Sequence, residues 1–177
     1  ATSVTVSATV VKAPQSIAFS LPSGLAIGDS VTLTATSTSG LAVAFATSTP
    51  SVCSVTGATL AILAGGTCTV TATQGGNAVW LAADPVTRSA TIDRFAQSIT
   101  FALPGSLLVG DVATLGGHAS SGLAVSYASG TPSICTVAGS TLTVLAAGTC
   151  SVTASQAGDT VYAPATPVTS SVTTARR

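Results

Sequence analysis

The chain has 177 residues, and its five Lys and Arg side chains balance five acidic side chains, so the formal net charge at pH 7 is zero. Charged residues make up 6% of the sequence, against roughly a quarter in an ordinary soluble domain. This composition argues against nucleic-acid binding, which needs an excess of basic residues, and against a hydrolase that needs paired carboxylates or a histidine relay. No apolar run approaches the roughly 18 residues of a membrane-spanning helix.

The first half of the chain has a hydrophobic period of two, which is typical of half-buried β-strands rather than of helices. Runs of this kind contain Ile17, Val31, Leu41, Cys53, Leu60 and Cys68, and a last run extends from about Val86 to Ile92. Turn-forming sequences rich in Gly, Pro, Asp and Asn separate the runs. About seven short strands at this spacing predict an antiparallel β-sandwich with apolar residues inside and Thr and Ser outside.

An internal repeat with an offset of 82 residues organises the sequence. Gln15-Ser16-Ile17 recurs as Gln97-Ser98-Ile99, and Gly66-Thr67-Cys68 recurs as Gly148-Thr149-Cys150. No gap is needed to align the two copies, so we predict two structural units of one kind, at residues 13–94 and 95–177. The linker between them has no flexible Gly/Ser stretch, which favours a stiff connection with Phe95 packed at the junction.

Residues 1–12 match the end of the repeat. Ser7-Ala8-Thr9-Val10 lies one offset before Ser89-Ala90-Thr91-Ile92. We expect this segment to be either the last strand of a preceding repeat or a strand donated to a sheet of another molecule. The candidate assembly residues alternate with Thr and Ser, and they are Val4, Val6, Ala8 and Val10. No signal peptide opens the chain, so we expect any export signal to lie upstream or to have been removed.

Each unit contains two cysteines 15 residues apart, Cys53 with Cys68 and Cys135 with Cys150. Their identical placement favours one disulfide in each unit and an oxidising compartment, over buried free thiols or a metal site in a chain with one histidine. Such a bridge contributes roughly 3 kcal/mol in the chain-entropy model. The separation is too short for the inter-sheet bridge of antibody domains, and we expect the bridge to join the two strands that flank residues 57–64.

Several polar residues have both a functional and a structural interpretation, and we favour the structural one. We interpret His118 as a partly exposed structural residue rather than a ligand or pH switch. Asp29 and Asp111 follow glycine and are interpreted as turn-capping residues rather than calcium ligands. Asn77 and Asp159 are interpreted in the same way.

The aromatic and glycine residues also have two interpretations. Trp80 and Tyr162 are predicted to cover one end of each sandwich, with their polar atoms bonded to the backbone, rather than to serve as stacking platforms for sugars. Gly116 and Gly117 are expected to loosen the strand at 111–120 or to form a bulge. We identify no catalytic residue, no cofactor site and no metal site.

Three segments of the first unit, Thr49-Pro50-Ser51-Val52-Cys53, Gly66-Thr67-Cys68-Thr69-Val70 and Gln74-Gly75-Gly76-Asn77, resemble bacterial immunoglobulin-like tandem repeats. The resemblance covers essentially the whole chain. It implies an all-β fold of two tandem Ig-like antiparallel β-sandwiches of about seven strands each, plus an extra N-terminal strand. It also implies an extracellular or cell-surface location in a stalk, adhesin or fibre.

We therefore expect a non-enzymatic structural module whose partners are copies of itself or neighbouring Ig-like repeats. The alternative is an adhesin segment that binds a glycan or a host protein. We expect no cofactor, no nucleic-acid partner and no membrane span. The low charge favours self-association, because charged residues on edge strands normally prevent sheets from pairing edge to edge.

Overall fold

The computed structural model describes Val6 and residues 9–177, and every regular element in this part of the chain is a β-strand. The chain divides between Asp93 and Arg94 into two compact units, each with its own hydrophobic core. Each unit is an Ig-like antiparallel β-sandwich, so the predicted all-β fold class is confirmed. No helix able to cross a membrane occurs in Val6 or in residues 9–177.

Unit 1 forms its sandwich from eight strands that lie in three hydrogen-bonded groups. In chain order they are β1 (Ile17–Phe19), β2 (Ser30–Thr32), β3 (Ala35–Ser37), β4 (Ala44–Thr47), β5 (Cys53–Thr56), β6 (Thr59–Ile62), β7 (Gly66–Thr73) and β8 (Val86–Ile92). One sheet has the order β4-β7-β8, another has the order β2-β6-β5, and β1 pairs with β3. The bounds of β8 agree with the last strand predicted from the sequence.

Unit 2 repeats this arrangement with one additional short strand. Its strands are β9 (Ile99–Thr100), β10 (Leu107–Leu108), β11 (Val112–Thr114), β12 (His118–Ala119), β13 (Ser126–Ser129), β14 (Cys135–Ala138), β15 (Thr141–Val144), β16 (Gly148–Ser155) and β17 (Val168–Ala175). The sheet orders are β10-β17-β16-β13, β11-β15-β14 and β12-β9. All pairs are antiparallel except β10 with β17, which is parallel.

The strand count exceeds the predicted seven in each unit for two reasons. The second predicted strand is interrupted, at residues 33–34 in unit 1 and at residues 115–117 in unit 2, because its two halves pair with different partners. In unit 2, β10 also attaches to the end of β17, where the Val109 N–H donates to the Ala175 carbonyl at 2.9 Å. Both differences concern pairing between distant segments, which local periodicity does not encode.

The cores follow the predicted alternation along the long strands. In β7 the side chains of Cys68, Val70 and Ala72 are fully buried, while the intervening threonines face outward. The equivalent residues of β16 are buried in the same way. Small and β-branched side chains fill each thin core, and one tilted aromatic pair closes it, Phe19 with Phe45 in unit 1 at a centroid distance of 5.3 Å.

Candidate functional site

A disulfide lies at the centre of each core. Cys53 bonds to Cys68, and Cys135 bonds to Cys150, with 5.6 Å between the Cα atoms in both cases. All four side chains are fully buried. The bridges therefore fasten each sandwich from the inside, where surrounding groups shield them from external reductants.

The position of the bridge corrects one expectation from the sequence. It does join the strands that flank residues 57–64, but these strands, β5 and β7, belong to different sheets. A 15-residue separation spans the two sheets because the chain makes the β5–β6 hairpin in one sheet and then crosses at once to the other. Gly66 begins β7 directly after the crossing with a φ of 136°, which side chains other than glycine rarely adopt.

A hydrogen-bonded pair of glutamines holds the beginning of unit 1 to a distant loop. Gln15 Nε2 donates to Gln74 Oε1 and, at 2.6 Å, to the Leu81 carbonyl. Ser39 Oγ donates to Gln15 Oε1, and the Gly76 N–H donates to Gln74 Oε1 at 2.7 Å. We name the set of Gln15, Ser39 and Gln74, together with its counterpart in unit 2, the glutamine clamp.

The clamp recurs in unit 2 on equivalent residues. Gln97 Nε2 donates to Gln156 Oε1 at 2.5 Å and to the Ala163 carbonyl at 2.7 Å. Ser121 Oγ donates to Gln97 Oε1 at 2.5 Å, and the Gly158 N–H donates to Gln156 Oε1 at 2.5 Å. The sequence carries a signal for the clamp, since all four glutamines of the chain belong to it.

The chain approaches each clamp through one residue that pairs in parallel with an aromatic residue, Ala13 with Trp80 and Phe95 with Tyr162. The Phe95 ring lies 6.0 Å from the Tyr162 ring, centroid to centroid, so Phe95 packs within its own unit. Trp80 and Tyr162 are half-buried. The bonding of their side-chain polar atoms to the backbone stays a prediction.

The turn residues do what the sequence predicts. The Ala26 N–H donates to Asp29 Oδ2 at 2.8 Å, and the Leu108 N–H donates to Asp111 Oδ2 at 2.8 Å. The backbone bond from Leu108, followed by the guanidinium of Arg177, lowers the pKa of Asp111 below its ordinary value. The Arg177–Asp111 ion pair, at 2.6 Å, lies on the surface, where such pairs contribute little to stability.

The second pair of turn residues caps the loop that the glutamine clamp holds. Asn77 Oδ1 accepts from the N–H groups of Val79 and Trp80 at 2.8 and 2.9 Å. Asp159 Oδ1 accepts in the same way from Tyr162 and Val161, at 2.7 and 2.8 Å. These two bonds lower the pKa of Asp159, because they favour the ionised carboxylate.

Gly117, in the glycine pair beside His118, has a specific partner in Tyr127 that the sequence pattern does not reveal. The Gly117 N–H donates to the hydroxyl of Tyr127 at 2.6 Å, and β12 has two residues where β3 has three. The strand is therefore shortened, as expected for loosening by the glycines. His118 itself is exposed and pairs with Thr100.

Shallow clefts occur on the surface of the described residues. One, of about 400 Å³, is lined by Ala18, Phe19, Ser20, Thr34, Ala35 and Thr36. Another, of about 380 Å³, is lined by Val109, Leu145, Ala146, Ala147, Arg176 and Arg177. Val6 and residues 9–177 contain no group of three or more His, Cys, Asp or Glu side chains that could hold a metal ion.

The candidate assembly residues are described in part. Val4 and Ala8 lie outside the described residues, whereas Val6 and Val10 are described, belong to no strand and have exposed side chains. Val11 beside them is also exposed. Their role in assembly stays a prediction.

No protein-family model and no curated protein matches the sequence. Among solved structures, the chain is similar to domains 1–6 of the surface-layer protein SbsC, with 15% identity, a TM-score of 0.35 and coverage of 92% of this chain and 28% of that one. Drosophila N-cadherin EC1–3 has 7% identity and a TM-score of 0.33, with 94% and 69% coverage. A 282-residue intimin fragment has 15% identity and a TM-score of 0.30, with 88% and 50% coverage. These likenesses assign no function.

Proposed function

We propose that the chain is a non-enzymatic structural module of an extracellular bacterial surface protein or filament, built from tandem Ig-like repeats that associate with repeats of their own kind. The observation that carries the proposal is the recurrence of one complete unit. The disulfide, the glutamine clamp and the capped turn each occur twice at the same offset. Repeated units that fold around their own cores are suited to building length.

The buried disulfides support the extracellular location. Structural disulfides form and persist in oxidising environments, and small secreted domains use them to compensate for thin cores. Each bridge here closes a sandwich whose fully buried side chains are aliphatic or sulfur-containing, such as Leu60, Val70 and Cys68 in unit 1. In the reducing cytosol, the cysteines of such an array would stay as free thiols.

The outer faces support association between repeats. Hydroxyl pairs line the long strands, with 2.9 Å between Thr69 Oγ1 and Ser89 Oγ and 2.8 Å between Thr153 Oγ1 and Thr169 Oγ1. In addition, no strand of the described residues contains a lysine, the residue that most often prevents sheets from pairing edge to edge. A net charge of zero removes long-range repulsion between copies as well.

The location is tested on intact cells of the source organism with an antibody against the purified chain. We expect surface labelling that brief external protease treatment removes, together with fibres or a regular layer in electron micrographs. Labelling that appears only after lysis would contradict the proposal. A glycan or host-protein array measured with the same material decides the adhesin alternative, which needs a specific ligand that the structural role does not.

The structural role is tested by single-molecule stretching of the whole chain. We expect two unfolding events of nearly equal length, one for each unit. Each disulfide closes a loop between cysteines with a sequence separation of 15, and it excludes this loop from the extension. Reduction should therefore lengthen each event by about 50 Å. Events of unequal length, or no lengthening after reduction, would contradict two equivalent bridged modules.

A further inference from the structure

The first residue of each unit that bonds to the rest of that unit makes the same backbone hydrogen bonds in both units. In unit 1 the Ala13 N–H donates to the Val79 carbonyl, and the Ala13 carbonyl accepts from the Leu81 N–H, both at 2.9 Å. In unit 2, Phe95 makes the equivalent bonds to Val161 and Ala163, at 2.8 and 2.9 Å. The residue two positions before the first glutamine of each clamp is therefore hydrogen-bonded to the equivalent loop in both units.

A strand of the preceding unit comes just before Phe95. Strand β8 ends at Ile92, and only two residues, Asp93 and Arg94, separate it from Phe95. The same number of residues, Val11 and Lys12, separates Val10 from Ala13. Val10 therefore holds the position that Ile92 holds at the end of β8.

Residues 4–10, which we name the leading segment, carry the pattern of β8. Ser7-Ala8-Thr9 is identical to Ser89-Ala90-Thr91. Val4, Ala8 and Val10 correspond to Val86, Ala90 and Ile92, which lie in or against the core of unit 1, whereas Val6 corresponds to the exposed Arg88. In unit 1 the core-facing Ile92 is 2% exposed. Its counterpart Val10 is 92% exposed and belongs to no strand. The side chain of Val10 therefore lacks the core contacts that Ile92 makes in unit 1.

We propose that the leading segment is the last strand of a further Ig-like unit of the same kind that precedes unit 1 in the polypeptide. It would lie antiparallel to a strand equivalent to β7. The register follows from β8, in which Ile92 pairs with Gly66 and Ala90 pairs with Cys68. Val10 then lies opposite the glycine of the Gly-Thr-Cys sequence, and Ala8 lies opposite its cysteine. The inference rests on the tandem array proposed above and identifies its neighbouring partner.

Two observations favour a preceding unit over a second copy of the chain. The two-residue spacing to Ala13 equals the spacing between consecutive units, which a strand donated to another molecule would not need. In addition, the register taken from β8 needs the position beside the Gly-Thr-Cys strand, and in a second copy this position is taken by β8 beside β7 and by β17 beside β16.

The test extends the whole chain at its N-terminal side. In the first fusion, an additional copy of residues 13–85 replaces residues 1–3 and is joined directly to residue 4. This junction keeps the repeat in register, because residues 86 and 4 are equivalent positions. The added part contains the sequence of β1–β7 and both cysteines but lacks β8, so only the leading segment can complete it. In a second fusion, an additional copy of residues 13–92 replaces residues 1–10 and is joined to residue 11. This added unit has its own β8, so the second fusion serves as the control for folding.

We expect the first fusion to contain three disulfides and to protect the amides of residues 4–10 from hydrogen exchange as well as those of residues 86–92. In that fusion Val10→Asp should abolish the protection, whereas Thr9→Asp, on the outward-facing position, should leave it within about twofold. Equal effects of the two substitutions would overturn the register.

The proposal is overturned if residues 4–10 of the first fusion exchange as fast as in the unextended chain, or if its added cysteines stay free while the control forms its bridge. Oligomers of the unextended chain with protected residues 4–10 would overturn it in favour of a second copy. These outcomes are independent of cell-surface labelling and of the stretching of units 1 and 2, so they can be distinguished from failure of the proposed function.

Discussion

The hydroxyl of Tyr127 occupies the space that a side chain would need at Gly117. A Cβ atom at Gly117 would lie 2.9 Å from that hydroxyl, and the hydroxyl accepts a hydrogen bond from the Gly117 N–H at 2.6 Å. In unit 1 the equivalent residues are Ala35 and Phe45. The two repeats therefore differ at both positions together, with Ala35 and Phe45 in unit 1 and with Gly117 and Tyr127 in unit 2.

This pairing predicts that exchanging both residues costs less than the sum of the single exchanges. Gly117→Ala forces a close contact and should lower the free energy of unfolding of unit 2 by about 1–3 kcal/mol. Tyr127→Phe removes the acceptor of the Gly117 N–H and should cost about 1 kcal/mol. The double variant recreates the pair of unit 1, so a double-mutant cycle in urea should give a clear favourable coupling. Additive effects would contradict the pairing.

The loop held by the glutamine clamp predicts opposite effects at two adjacent glycines. Gly76 has a φ of 74°, and a Cβ there would lie 2.4 Å from the Trp80 carbonyl oxygen, whereas a Cβ at Gly75 meets open space. Gly76→Ala should destabilise unit 1 by more than about 1 kcal/mol. Gly75→Ala should be neutral or stabilising, since unit 2 has Ala157 at that position. Urea unfolding followed by Trp80 fluorescence measures both, and similar losses for the two variants would contradict the loop geometry.

Removal of one bridge should weaken one unit. Replacing both Cys53 and Cys68 by Ala should lower the free energy of unfolding of unit 1 by roughly 3 kcal/mol, because the unfolded chain loses its closed loop. The only Trp lies in unit 1 and both Tyr residues lie in unit 2, so the two transitions can be followed separately. The tyrosine-detected transition should stay unchanged. An equal shift of both transitions would show that the units do not unfold independently.

The capped turn predicts a difference in acid stability between the units. The folded pKa of Asp159 lies below its ordinary value of 3.8, so its contribution to stability is present at neutral pH and is lost as the pH falls below about 4. Asp159→Asn keeps the acceptor oxygen, as Asn77 does in unit 1, and should reduce the loss of unit 2 stability between pH 7 and pH 3.

The converse substitution serves as the control for this prediction. Asn77→Asp should give unit 1 an acid-dependent loss of stability that it otherwise lacks at this turn. Both effects are measured from urea midpoints at the two pH values. An unchanged pH dependence in both variants would show that the turn bonds do not favour the ionised carboxylate.

Local patterns in the sequence were sufficient to predict the longer strands, but not the short strand β10 or all of the strand partners. The alternation of Cys68, Val70 and Ala72 predicts a half-buried strand, and β7 has that form, because one face of a strand meets the core at every second residue. The parallel attachment of Leu107 to Thr174 was not predictable, since such pairing depends on the approach of distant segments.

The same distinction holds for the candidate site. The cysteine pairs were predictable because their spacing recurs in both units, whereas the crossing of the bridge between sheets depends on how the chain leaves β6. Gln15 and Gln74 lie 59 residues apart, and neither has a local pattern that suggests a bond. The recurrence of this glutamine pair as Gln97 and Gln156, in a chain with four glutamines, is the pattern that could have revealed the clamp.

The disulfide position has a consequence for resistance to proteolysis. The turn between β5 and β6 contains Gly57 and Ala58, which are exposed, and it lies between Cys53 and Cys68. A protease that cuts this turn therefore leaves the two pieces covalently joined through the bridge, and the exposed turn at Gly139 in unit 2 is protected in the same way. This exposed hairpin can therefore be cleaved in either unit without separating the chain into two pieces.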